Sequence, residues 1–184
     1  KQRHKFEKVC HSMRAIAYMH MGVYRVSIMT QDEALDLLKT GQNVFLTGPA
    51  GSGKTYVLNL YIKYLEEHNV PVAVTASTGI AATHMNGRTI HSWSGIGLKK
   101  AFTKKDRYKL LNNEKVLDRV RRAKVLIIDE ISMLEARVLN LIDEACRLLR
   151  DNHHPFGGLQ VVFCGDFFQL PPVHKNGEPK PLFA

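Results

Sequence analysis

The stretch 44–55, Val-Phe-Leu-Thr-Gly-Pro-Ala-Gly-Ser-Gly-Lys-Thr, constrains the fold more than any other part of the chain. Its first residues suit a buried strand, and beyond it Val57, Leu58, Tyr61, Ile62 and Leu65 recur at helical spacing. Between the two, Gly48, Gly53, Lys54 and Thr55 satisfy the pattern G-x-x-x-x-G-K-[ST], and Gly51 adds a third position without a Cβ. A turn of this kind lets backbone come close to phosphate. Its N–H groups point inward, the following helix adds its positive end, and the lysine reaches the outer phosphate oxygens. Gly48, Gly51, Ser52, Gly53, Lys54 and Thr55 are therefore the expected phosphate-binding residues, with the Thr55 hydroxyl placed for Mg²⁺. A chance glycine-rich turn would lack the strand before it and the amphipathic helix after it.

Further strands and helices alternate along the chain. Thr30 with Glu33 forms a capping box opening a helix through Leu38 that stops at Gly41. The helix after the loop is expected to end near His68, and Pro71 resets the chain before a buried strand at 72–76. An alanine-rich helix follows from Thr78. A third strand at 125–128 is apolar at every position, as a central parallel strand should be. Leu134, Val138, Leu141, Ile142, Ala145, Leu148 and Leu149 predict a long helix to about Asp151, broken by Gly157 and Gly158, and a fourth strand covers 160–164. Strand, helix, strand, helix implies a parallel sheet. In residues 1–28, Phe6, Val9, Met13 and Ala17 stand at roughly helical spacing, which predicts a short helix.

Asp129 and Glu130 close the third strand at its carboxyl end, where ligands collect in a parallel sheet. There Asp129 would hold Mg²⁺ and Glu130 would orient and deprotonate an attacking water. The bland alternative is a pair of helix-capping acids, against which stand the four apolar residues before them and the separate cap offered by Ser132. Gln169, after the fourth strand, is a neutral donor and acceptor able to read a γ-phosphate or simply to bond backbone.

The net charge of +9 is unevenly placed. Residues 99–124 carry eleven Lys or Arg against Asp106, Glu114 and Asp118, and residues 1–28 carry six against Glu7. Such clustering suits a polyanionic partner or a solvated helix face, and solvent is slightly favoured for 99–124. Cys10, Cys146 and Cys164 show no C-x-x-C spacing, so neither a disulfide framework nor a zinc site is suggested. No apolar stretch is long enough to span a bilayer and no signal peptide is visible, so a soluble intracellular protein is expected: cytoplasmic in a bacterium, nuclear or mitochondrial in a eukaryote. A monomer is the simplest expectation for its oligomeric state.

Taken together the motifs resemble one family, the Pif-type helicases of superfamily 1, related to RecD. The resemblance runs from about Thr30 to Phe183. It rests on VTASTGIAA at 74–82, which is similar to helicase motif Ia, on TIHSWSGIG at 89–97 and on DEISML at 129–134. It rests most on Asp143, Arg150, PFGGLQ at 155–160 and GDFFQLPPV at 165–173, which resemble the family signature followed by motif III. The resemblance implies an α/β RecA-like P-loop NTPase domain, a parallel sheet with helices on both faces, ending soon after motif III. It implies an ATP-dependent helicase that moves 5′ to 3′ on single-stranded DNA, in repair, recombination and telomere maintenance. By the same resemblance Gln31 falls where the family reads adenine, and Gln169 reads the γ-phosphate. Thr75, Thr78, His91 and Trp93 match segments lining the single-strand path, although Trp93 serves equally well as core. Residues 1–28 match nothing in the family and are expected to be a basic extension, with 29–184 the first RecA-like domain. The second such domain and its arginine finger are not in the sequence. A nucleotide kinase or loader-type ATPase would share the loop but not the run 165–173. A binding module that holds ATP and single-stranded DNA without turnover is the non-enzymatic alternative.

Overall fold

Four runs of apolar residues become the centre of one sheet. The computed structural model describes residues 13–20 and 23–166. Its strands are β1 (Met13–His20), β2 (Val23–Met29), β3 (Asn43–Thr47), β4 (Val72–Ala76), β5 (Arg88–Thr89), β6 (Val125–Asp129) and β7 (Gln160–Gly165), in spatial order β2-β1-β3-β7-β6-β4-β5. β3, β7, β6, β4 and β5 are parallel, as the alternation of strands and helices implies. The register sets Thr47 opposite Gly165, Ile128 opposite Phe163 and Ala76 opposite Asp129. The carboxyl ends of β3, β7, β6 and β4 therefore come out at one edge of the sheet.

The expected helix in the leader is corrected. Residues 13–20 and 23–29 pair as antiparallel strands, and β1 pairs with β3 from Ala15–Thr47 to Met19–Asn43. Met13 and Ala17, two members of the helical pattern, stand on that strand, whereas Phe6 and Val9 lie outside the described residues. An open edge of β3 is a strong template for backbone pairing. That long-range partner overrides a short local periodicity.

The helices are α1 (Gln31–Lys39), α2 (Lys54–Glu67), α3 (Gly79–His84), α4 (Ile90–Ser94), α5 (Lys104–Leu111), α6 (Glu114–Arg122) and α7 (Ala136–Arg150). The capping box on α1 is formed, with the Thr30 side chain accepting from the Glu33 N–H and Glu33 accepting from the Thr30 N–H at 2.7 Å. α7 starts two residues later than its apolar pattern suggests, because Ile131–Met133 form a 3₁₀ turn and Leu134 is extended. It ends at Asp151, as its pattern predicts, where the backbone is left-handed at φ 49°.

β6 alternates between two cores. Leu126 and Ile128 face α4, α6 and α7, where Trp93, Val120, Ile142 and Leu149 are buried. Val125 and Ile127 face α1 and α2, where Leu38, Leu58 and Tyr61 are buried. Each such side chain contributes roughly 1.5–3 kcal/mol when withdrawn from water. A polar tie closes the amino-terminal edge: Tyr61 Oη donates to Gln160 Oε1 at 2.8 Å, and Gln160 Nε2 donates to the Leu38 and Gln42 carbonyls, each at 2.9 Å. Burial pushes the Tyr61 phenol up to about 12, so it stays protonated and keeps the proton that it donates to Gln160.

Candidate nucleotide and strand site

The phosphate loop leaves β3 and turns into α2 through Gly51 and Gly53, at φ 77° and 88°. Gly53 is left-handed, which favours glycine, and a Cβ on it would displace the Gln31 side-chain amide. Gln31 Nε2 donates to the Ser52 carbonyl at 3.2 Å, so α1 touches the loop through the residue expected to read the base. Lys54 Nζ lies over the loop, donating to the carbonyls of Gly48 at 2.6 Å and Pro49 at 3.0 Å. Ser52 Oγ is buried and makes no hydrogen bond, while Thr55 is exposed at the start of α2.

The acidic pair arrives from β6, with β7 between it and the loop strand. Asp129 Oδ1 accepts the Glu130 N–H at 2.9 Å, and Glu130 itself is left-handed at φ 53°. Burial raises the Glu130 carboxyl above its usual range, Asp129 and Asp166 push the same way, and Lys54 pulls it back. Asp166, which follows β7, is buried at 5% exposure. Loop lysine, acidic pair and Asp166 thus share one electrostatic neighbourhood. Cys164 lies beneath them, its thiol pushed well up by burial and by Asp129. From the sequence Cys164 had no place in the site and Asp166 no role of its own, although its position directly after a buried parallel strand was a signal. Gln169 lies outside the described residues.

The residues expected on the strand path separate. Thr78 caps α3, accepting from the Ala81 N–H at 3.2 Å, and His91 is half-buried on α4, where burial lowers its pKa. Thr75 is 1% exposed, and its hydroxyl donates to the Ile127 carbonyl at 2.6 Å. Trp93 is 5% exposed within the core beside α6 and α7. Of the four, Thr78 and His91 retain access to a ligand in this arrangement. Among the described residues, no helix is long and apolar enough to cross a membrane.

A glycine-rich loop between a parallel strand and a helix, facing a strand-end acidic pair, defines a RecA-like P-loop NTPase domain. Residues 27–184 match the model of the PIF1-like helicase family, and the chain belongs to that family. It is 63% identical over 150 residues to the ATP-dependent DNA helicase Pif1 of Psychrobacter, matching 82% of this chain and 23% of that protein. The crystal structure of Pif1 from Candida albicans superposes with a TM-score of 0.73 at 45% identity, over 78% of this chain and 33% of the other. The Bacteroides Pif1 helicase in complex with ADP-AlF3 and ssDNA superposes at 0.60 and 36% identity, over 79% and 33%. The chain thus spans about a quarter of the Psychrobacter relative, by the 23% share.

Proposed function

We propose that residues 29–184 are the first RecA-like domain of an ATP-dependent DNA helicase moving 5′ to 3′ on single-stranded DNA, and that its work lies in repair, recombination and telomere maintenance. The observation that carries this reading is that the phosphate loop after β3 and the acidic pair at the end of β6 come out at one edge of the sheet, so that Lys54 opposes the rise in the pKa of the half-buried Glu130 carboxyl. Family membership and the Bacteroides complex with ADP-AlF3 and ssDNA support it.

The residues fit ATP and Mg²⁺. Ser52 Oγ is a buried hydroxyl with no partner, and the two carbonyls that hold Lys54 are neutral acceptors that phosphate oxygens can replace. Among the described residues no cluster of three or more His, Cys, Asp or Glu could hold a metal alone. That suits Mg²⁺, which takes one or two protein groups and fills its shell with phosphate and water. Thr55 and Asp129 would be those groups. Mg-ATP supplies the phosphoryl group transferred and part of the charge that neutralises it. Gly48, Gly51, Ser52 and Gly53 bind the polyphosphate, and Lys54 holds its outer oxygens. Glu130 takes the proton from the attacking water, and its raised pKa makes it a stronger base than an exposed carboxylate. Gln31 reads the adenine and Gln169 the γ-phosphate, while Thr78 and His91 face the strand.

The test is unwinding by a longer protein containing this domain, on duplexes with a 5′ or a 3′ single-stranded tail. Unwinding confined to the 5′-tailed duplex, and lost with nucleotide binding in Lys54→Ala, is expected. Unwinding from 3′ tails, or unchanged ATP affinity in Lys54→Ala, would contradict the reading.

A further inference from the structure

A groove of about 310 Å³ runs between α4 and α6, lined by His91, Ser92, Gly95, Asn113, Lys115 and Arg119 among others. Its lining contains two cations and a histidine and no carboxylate. Three basic residues on or beside these helices are, by contrast, paired with carboxylates. Arg107 pairs with Glu144 at 2.6 Å, Lys99 with Asp106 at 3.9 Å, and Arg122 with Asp118. Lys115 is exposed and forms no ion pair among the described residues.

Arg119 is fixed in place. Its Nε donates to the Trp93 carbonyl at 2.8 Å and its Nη2 to the Ser92 carbonyl, so the end of α4 holds the guanidinium plane. Two of its N–H groups are used in this way out of five, which leaves donors for a ligand without further ordering of the side chain. Burial lowers the Arg119 pKa, and Arg88 close by lowers it further. The fold therefore keeps like charges together at this place. The opposite wall is equally fixed: Gly95 is left-handed at φ 76°, and a Cβ there would come within 2.8 Å of Leu110 Cδ1 and 3.0 Å of Val116 Cγ1. Glycine lets the chain after α4 close onto α5 and α6.

We propose that this groove seats a phosphodiester of a single nucleic-acid strand, with Lys115 as a mobile point charge and Arg119 as a fixed fork. It rests on the reading that the chain acts on single-stranded DNA, and it adds two phosphate-binding residues from outside the motifs. A fixed guanidinium, a lysine and small polar groups hold phosphate oxygens and read no base edge, so the contact is indifferent to sequence.

The test is binding of the 184-residue chain to fluorescent oligo-dT over a sodium chloride titration. Each phosphate contact on a single strand contributes a slope of about 0.7 in log K against log salt. Lys115→Ala should flatten the slope by about 0.7 and weaken oligo-dT and oligo-dA equally, whereas Lys104→Ala, the same charge change on α5 outside the groove, should leave the slope as it was. A slope no flatter in Lys115→Ala than in Lys104→Ala overturns the groove. Failure of the unaltered chain to bind either oligonucleotide overturns the strand-binding reading itself, and the groove with it.

Discussion

Glu130 is a non-glycine residue held at φ 53°, a conformation that costs on the order of 1–3 kcal/mol and tends to occur where a side chain must be aimed. The strain lets the chain leave β6 and turn at once into 3₁₀ geometry while Asp129 caps the Glu130 N–H. Glu130→Gln keeps the size and loses the carboxylate proposed as the base. A longer protein carrying it should still bind Mg-ATP, while turnover falls about 10²- to 10⁴-fold. Nucleotide affinity by fluorescence and steady-state hydrolysis separate the two effects, and retained turnover would place the base elsewhere. At this scale much of the loop was legible in the sequence, because its glycines and lysine obey a spacing set by phosphate geometry. Thr75 and Trp93 were not: a small hydroxyl and an indole suit a nucleic-acid path and a core alike. Only the hydrogen bond to Ile127 O and the neighbours of Trp93 decide between them.

Among the elements, the four central parallel strands could be read from apolar runs of the right length, and the first-turn cap of α1 from Thr30. The strand pair β1–β2 could not, since its stability comes from β3, more than twenty residues away along the chain. The turn 155–158 was legible as a motif but not in its purpose. Asp143 Oδ1 accepts the Phe156 N–H at 2.6 Å and Arg147 holds the same carboxylate, which fixes the turn to α7. Arg150 donates from Nε to the Gly157 carbonyl at 2.7 Å and from Nη1 to the Val120 and Ala123 carbonyls, each at 2.8 Å. One side chain thus caps the end of α6 and holds the turn that leads into β7. Arg150→Ala leaves those carbonyls without their charged donor, and a loss of about 2–3 kcal/mol is expected. In a thermal melt that is a fall of roughly 5–10 °C for a chain of this size. Arg150→Lys should recover little, because an ammonium cannot span carbonyls that a planar fork reaches together. A melt unchanged in Arg150→Ala would remove the residue from the frame of β7.

Across the whole molecule the excess of basic residues turns out to be divided in use. Arg119, Arg121 and Arg150 serve as donors to backbone carbonyls within the fold, while Lys115 remains turned outward. The phosphate loop, the acidic pair and Asp166 all arise from one sheet edge, so this chain alone can gather the groups proposed to bind a nucleotide. Among the described residues, Lys54 is the cation whose charge reaches Glu130. Charge developing on a transferring phosphoryl group is met in related enzymes by an arginine finger, a contribution of about 10³- to 10⁵-fold in rate. The chain covers 33% of the Candida Pif1 chain, and the helicase proposed above would need a second domain as a wall that closes on the nucleotide and opens again. The purified 184-residue chain should therefore bind Mg-ATP weakly, with affinity lost in Lys54→Ala, and show neither DNA-stimulated hydrolysis nor unwinding of a 5′-tailed duplex. Both activities should appear in a protein that extends this sequence with a second RecA-like domain carrying such an arginine. Unwinding by the 184 residues alone would mean that they translocate without a second wall, and the proposed division of labour between two domains would be wrong.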